Sequence, residues 1–120
     1  MKPMVSFNTP ELLEALGNIE KSNYSAAFDT LAHLADAGNP KAQCNLASLY
    51  QFGWGVKPDG SKAVELYSKA ARQNIHEERL SALAYHNLST LYVCGAPGVA
   101  PDHERAATYS ALAKELGFEM

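Results

Sequence analysis

The chain repeats itself, and no other feature constrains its fold so tightly. Residues 42–74 align with residues 84–117. Leu46, Leu49, Tyr50 and Gly53 meet Leu88, Leu91, Tyr92 and Gly95 at an offset of 42. Gly55, Val56, Pro58, Asp59, Ala63 and Ala70 then meet Gly98, Val99, Pro101, Asp102, Ala106 and Ala113 at an offset of 43. The extra residue falls in a loop, where Ala96-Pro97 replaces Trp54. A partial third copy lies upstream: Ala27, Leu31, Ala35 and Gly38 precede Ala63, Tyr67, Ala71 and Asn74 by 36.

Each copy reads as two helices. Ala42, Leu46, Leu49, Tyr50 and Gly53 share one helical face, and Gly53-Trp54-Gly55 ends the helix because glycine accepts the left-handed conformation of a C-cap. Asp59 stands where an N-cap is wanted, and Ala63, Leu66, Tyr67, Ala70 and Ala71 form the next apolar stripe. Lys69 and Arg72 sit in its last turn, Glu65 and Lys69 form an i,i+4 pair, and Asn74 is the expected C-cap. Asp102 and Lys114 repeat this logic, and Thr9-Pro10-Glu11 opens a helix carrying Leu12, Leu16 and Ile19. The expected helices cover 9–21, 23–37, 40–52, 59–73, 77–94 and 102–116. The small side chains of Ala63, Ala70 and Ala71 let neighbouring helices approach closely. One such hairpin cannot cover its own apolar side, so the hairpins must stack. The fold class is therefore all-α: an α/α superhelix, a short right-handed solenoid of three hairpins. The expected organisation is an N-terminal arm (1–8) and one repeat domain (9–120), comprising a degenerate hairpin 9–38, a repeat 40–75 and a repeat 76–117.

The string from Ala42 to Asp59, followed by Lys62-Ala63 and Tyr67-Ser68-Lys69-Ala70-Ala71, resembles a Sel1-like repeat, a relative of the tetratricopeptide repeat with a longer inter-helix loop. Residues 84–117 resemble a more diverged copy, with Ser89 and Ser110 in place of the usual glycine and aromatic, and residues 23–38 resemble the second helix of a degenerate one. The resemblance implies an adaptor or scaffold for protein partners. It does not carry over the inter-helix disulfides of cysteine-rich members, because their cysteine pattern is missing here.

Composition narrows the function. Ten basic against thirteen acidic side chains give a net charge of −3, whereas nucleic-acid binders carry a positive surplus. Met1 to Asn8 holds no apolar core of a secretory leader. The uncharged stretch from Leu80 to Pro101 contains His86, Asn87, Ser89, Gly95, Pro97 and Gly98, which argue against a membrane span. Cys44 and Cys94 are expected to be two free thiols, since their positions on parallel helices are offset by about 12 Å. These features lead to an expected cytoplasmic localisation.

Catalytic signatures are weak. His76-Glu77-Glu78-Arg79-Leu80 begins like a zinc-protease helix but has leucine where the second histidine belongs. The four histidines have no His or Cys partner at i+3 or i+4, and Gly53-x-Gly55 follows a helix rather than a strand. The expectation is therefore no enzyme, no catalytic residue, no metal and no cofactor. A small enzyme assembled across helices is the alternative from another class.

Partner binding is the remaining reading. The side of helix 40–52 away from its apolar stripe carries Cys44, Ser48 and Gln51, and the next copy places His86, Thr90 and Val93 there. These six are the expected groove. Because that face is read as solvated, Ser48→Ala is expected to cost less than ~0.5 kcal/mol. Trp54 is a second candidate contact, as an interface anchor or tucked against its own domain. The six-residue surplus near His76, Glu77 and Arg79 is a third. Apolar residues at the C-terminal end, including Tyr109, Leu112, Leu116 and Phe118, suggest a homodimer through that repeat. Beside a general adaptor, a dedicated inhibitor such as a toxin-neutralising immunity protein fits the small size.

Overall fold

Side-chain caps mark where four of the helices begin. A computed structural model describes residues 8–73 and 78–117. Thr9 Oγ1 accepts from the Leu12 N–H at 3.2 Å and opens α1 (Pro10–Glu20). After α2 (Tyr24–Asp36), Asn39 Oδ1 accepts from the N–H groups of Lys41 and Ala42 at the start of α3 (Pro40–Phe52). Asp59 accepts from Lys62 N–H at 3.1 Å in α4 (Gly60–Arg72). After α5 (Glu78–Cys94), Asp102 does the same for Arg105 at 3.0 Å in α6 (His103–Glu115). Each cap satisfies a donor that the helix itself leaves unpaired. The boundaries agree with the repeat reading to within two residues. Gln73 takes the C-cap position of α4 rather than Asn74, which lies outside the described residues.

The loops are built to one pattern. The N–H groups of Asp59 and Asp102 each donate to the carbonyl of the repeat's tyrosine, Tyr50 and Tyr92, at 2.8 Å in both copies. Each loop also leans on the preceding hairpin. Gly55 has φ +73°, and a Cβ there would stand 2.5 Å from the Cβ of Tyr24. One copy later, the Gly60 N–H donates to the Pro97 carbonyl at 2.7 Å, and a side chain at Gly60 would strike that same oxygen. Glycine is needed at 55 for its backbone angle and at 60 for space.

Every helix packs against its neighbours in sequence, and α3 also touches α5. This nearest-neighbour packing is that of a solenoid. Two apolar cores result. One joins Leu12, Ala27, Leu31, Leu46 and Leu49 from α1 to α3. The other joins Cys44, Ala47, Ala63, Tyr67, Leu88 and Leu91 from α3 to α5, with Ala106 of α6. Tyr50 and Leu66 touch both. Helix α3 is thus buried on two sides: Leu46 and Leu49 face the hairpin before it, and Cys44 and Ala47 face α4 and the hairpin after it.

Ala63 has no exposed surface and lies in the second core. Ala63→Leu is expected to lower the unfolding free energy by about 1–3 kcal/mol through overpacking. A denaturant titration checks this; an unchanged midpoint would show that the α4 stripe does not face its neighbour.

Candidate functional site

The six residues expected to line one groove separate into two unlike sets. Cys44 is only 5% exposed, and burial pushes its thiol up from an ordinary value near 9 to about 12. Ser48 Oγ lies 2.8 Å from the Tyr67 hydroxyl and donates to the Cys44 carbonyl at 3.2 Å. The Tyr67 hydroxyl in turn donates to Gln51 Oε1 at 2.9 Å. Tyr67 is 1% exposed, and desolvation pushes its phenol up to about 12, against a lowering by the Ser48 hydrogen bond. Cys44, Ser48 and Gln51 therefore form the contact between α3 and α4 and do not line an open groove. The physical reason lies within the hairpin: Tyr67 of α4 reaches across to α3 and covers the side away from its strongest apolar stripe.

This also revises the expectation for Ser48. Its hydroxyl is half-buried and bonded to the tyrosine, so Ser48→Ala is expected to cost about 1 kcal/mol. The change in urea midpoint measures it, and a loss below ~0.3 kcal/mol would show that the bond contributes nothing.

The corresponding positions on α5 behave differently. Ser110 stands where the first copy has Tyr67, so the hydroxyl that gathers Ser48 and Gln51 has no counterpart. His86 is half-buried, Thr90 is exposed and Val93 is 49% exposed. Thr90 Oγ1 turns back to the His86 carbonyl at 3.1 Å. Arg79, also exposed, and Leu83, 40% exposed, continue the row. Residues 79, 83, 86, 90 and 93 recur at spacings of four and three, so they share one face of α5. At 1.5 Å per residue that row is about 21 Å long. His76 and Glu77, expected beside Arg79, lie outside the described residues, as does Phe118.

Trp54 is placed by stacking. Its ring lies 5.5 Å from Tyr24 and 4.9 Å from Phe52, at interplanar angles of 18° and 28°. It remains 40% exposed and Phe52 55%. Both alternatives drawn for Trp54 thus contain part of the arrangement: the ring leans on its own chain and still offers surface. Tyr109, expected near an uncovered end, stacks instead on Tyr85 and Tyr92, each at 5.9 Å. Leu83, Phe52 and Tyr24 were missed in the sequence. The heptad-like spacing from Arg79 to Val93 would have found Leu83. Nothing local reveals that Tyr24 and Trp54, thirty residues apart, stack.

Among the described residues, no group of three His, Cys, Asp or Glu side chains could hold a metal ion. No described helix is long and apolar enough to cross a membrane. Cys44 and Cys94 are free thiols, the first buried and the second exposed.

Capped hairpins, packed in chain order with one outer face open, define an α/α-solenoid repeat protein. The Sel1 repeat model matches residues 40–75 and 82–118, more than half of the chain. The chain belongs to the Sel1-repeat family, whose repeats are protein–protein interaction modules. It is 34% identical over 94 residues to chitin synthase regulatory factor 3 of Schizosaccharomyces pombe, covering 71% of this chain but 10% of the yeast protein. A protective antigen with an SLR fold from uropathogenic Escherichia coli superposes with a TM-score of 0.69 at 25% identity, over 87% of this chain and 23% of the antigen. A Sel1 repeat protein from Oxalobacter formigenes gives 0.68 at 28% identity, over 89% and 43%. The chain thus spans about a tenth of the yeast relative's length and less than half of either bacterial structure.

Proposed function

We propose that this chain is a non-catalytic binding module that holds a protein partner against the outer row of α5, formed by Arg79, Leu83, His86, Thr90 and Val93. The observation that carries this reading is the contrast between equivalent faces. On α3 the face is covered by its own hairpin partner α4, with Tyr67 as the hydrogen-bonding centre; on α5 the same face keeps Leu83 and Val93 in solvent. An exposed apolar row flanked by polar side chains fits the flat side of an amphipathic helix or a further helical hairpin. The exposed stack of Phe52 and Trp54 is a second contact area of the same kind, since aromatic side chains dominate binding energy in interfaces. A reducing compartment suits the two free thiols, and the cytoplasm is the setting we infer.

The test uses Leu83→Glu with Val93→Glu, introduced into the protein in its own cells. Both side chains are exposed, so thermal stability should stay within ~1 kcal/mol of the parent. Co-purified protein should fall about tenfold or more. A variant that folds and retains its full complement of partners would overturn the α5 assignment. Trp54→Ala, assayed in parallel, reads the aromatic stack separately.

A further inference from the structure

The two full copies differ at one place where the first leaves a hole. In the second copy Tyr109 of α6 lays its ring on Tyr92 of α5, with centroids 5.9 Å apart and planes 12° apart. The equivalent of Tyr109 in the first copy is Leu66, and the equivalent of Tyr92 is Tyr50. Beside Leu66 a cleft of about 170 Å³ opens between α2 and α4, floored by Ala35, Leu46 and Tyr50. The cleft is open to solvent, with charged side chains around an apolar floor, and its volume is on the order of what one aromatic ring needs. Tyr50 meets one ring already, Phe28 of α2, edge-on at 5.6 Å, but among the described residues no ring stacks on it as Tyr109 does on Tyr92, and the cleft opens beside it.

The lips carry the second part of the argument. Glu65 and Lys69, both on the rim, satisfy each other at 3.3 Å. Lys62, also on the rim, has its ammonium 5.8 Å from the centre of the Tyr50 ring. It has no carboxylate within ion-pair reach among the described residues. Its counterpart Arg105 sits over Tyr92 at 5.6 Å and holds Asp102 at 3.4 Å. Tyr92 thus carries a cation and a stacked ring together, so the cation over Tyr50 does not prevent a ring from stacking there. Asp36 stands on the α2 side of the cleft, likewise without an ion-pair partner among the described residues. The rim is therefore positive towards α4 and negative towards α2.

We infer that the cleft between α2 and α4 is a docking slot for an aromatic side chain of a partner polypeptide, stacked on Tyr50 as Tyr109 is on Tyr92, with an acidic neighbour meeting Lys62 and a basic one meeting Asp36. This rests on the protein-binding reading above, but it concerns a different face. A ring inserted here replaces water against Ala35, Leu46 and Leu66, and the two charges fix the direction of the bound segment. Tyrosine suits the slot best, because its hydroxyl can stay at the polar rim while the ring is buried.

The probe is the N-acetylated, C-amidated tripeptide Glu-Tyr-Lys, titrated at millimolar concentrations while the Leu46 and Leu66 methyl resonances are followed by NMR. Saturable shifts at those methyls are expected, with affinity at least about tenfold weaker for Glu-Leu-Lys and about threefold weaker for the reversed order Lys-Tyr-Glu. Leu66→Tyr should abolish the shift at Leu46 by filling the slot from within, and the second copy already accommodates that residue at this place. Lys62→Glu is the second variant. It puts glutamate at the third helical position after the Asp59 cap, where glutamate favours the helix, so the fold should survive. Its affinity for Glu-Tyr-Lys should fall about tenfold. Absence of saturable shifts in the parent, or unchanged binding by a folded Leu66→Tyr variant, overturns the slot. Partner capture through the α5 row is read by a separate experiment. If that capture persists while the peptide fails, only the slot is lost; if the peptide binds while capture fails, only the α5 assignment is lost.

Discussion

Tyr67→Ala is expected to lower the free energy of unfolding by about 3–5 kcal/mol, a large share of what a chain of this size has. The ring fills the second core between Ala47 and Ala63 with almost no exposure. Removing it leaves a cavity walled by alanines that cannot move in to close it. The hydroxyl contributes as well, because it gathers Ser48 and Gln51 of α3 onto α4. Tyr67→Phe separates the two terms: the ring stays, two half-buried polar groups lose a partner, and the expected loss is about 1–2 kcal/mol. Urea denaturation of the three proteins provides the measurement. If alanine costs no more than phenylalanine, the ring is not what holds α3 against α4, and the second core must be held by other contacts.

The same residue explains where sequence reading succeeded and where it stopped. Repeat spacing placed the helix boundaries because caps are local: Thr9, Asp59 and Asp102 each bond a backbone N–H three residues on. Burial of Leu46, Leu49, Leu88 and Leu91 followed from the 3.6-residue period. What failed was the inference that one apolar stripe means one buried face. Cys44 and Ser48 are small and lie off the stripe of Leu46 and Leu49, so that stripe alone leaves them on the open side of the helix. Small side chains at i, i+3 and i+4 are nevertheless what a close helix contact needs. A buried tyrosine opposite them also needs polar partners for its hydroxyl, and Ser48 and Gln51 meet that need.

The candidate site was legible in proportion to how much of it lies on one helix. Thr90 and Val93 were found by their offset from α3, and Arg79 by the length surplus before α5. The cleft between α2 and α4 was not legible. It depends on Leu66 standing where the other copy has Tyr109, and a Leu-to-Tyr difference in an alignment looks like a conservative change in a core position. The stacking of Tyr109 on Tyr92 and the cleft beside Leu66 become visible only once the helices are packed.

Alkali is expected to unfold this protein through the α3–α4 contact. Burial raises both the Cys44 thiol and the Tyr67 phenol to about 12, against ordinary values near 9 and 10. Below about pH 8 both groups hold their protons whether the chain is folded or not, so they add no pH dependence. Above it the unfolded chain releases its protons first, while the folded chain keeps them up to about pH 12. The unfolded state then binds fewer protons than the native one, and stability must fall as pH rises through that window. At ~1.4 kcal/mol per unit of displacement, the combined loss by pH 12 is on the order of 5 kcal/mol. A urea series from about pH 8 to about pH 11 reads it as a falling midpoint at nearly constant slope. Cys44→Ala removes the thiol's share, so its midpoint should begin to fall about one unit later, when the phenol of the unfolded chain starts to ionise. A parent midpoint that stays level across the series would mean that Cys44 and Tyr67 are open to water, and that α3 does not carry two buried faces.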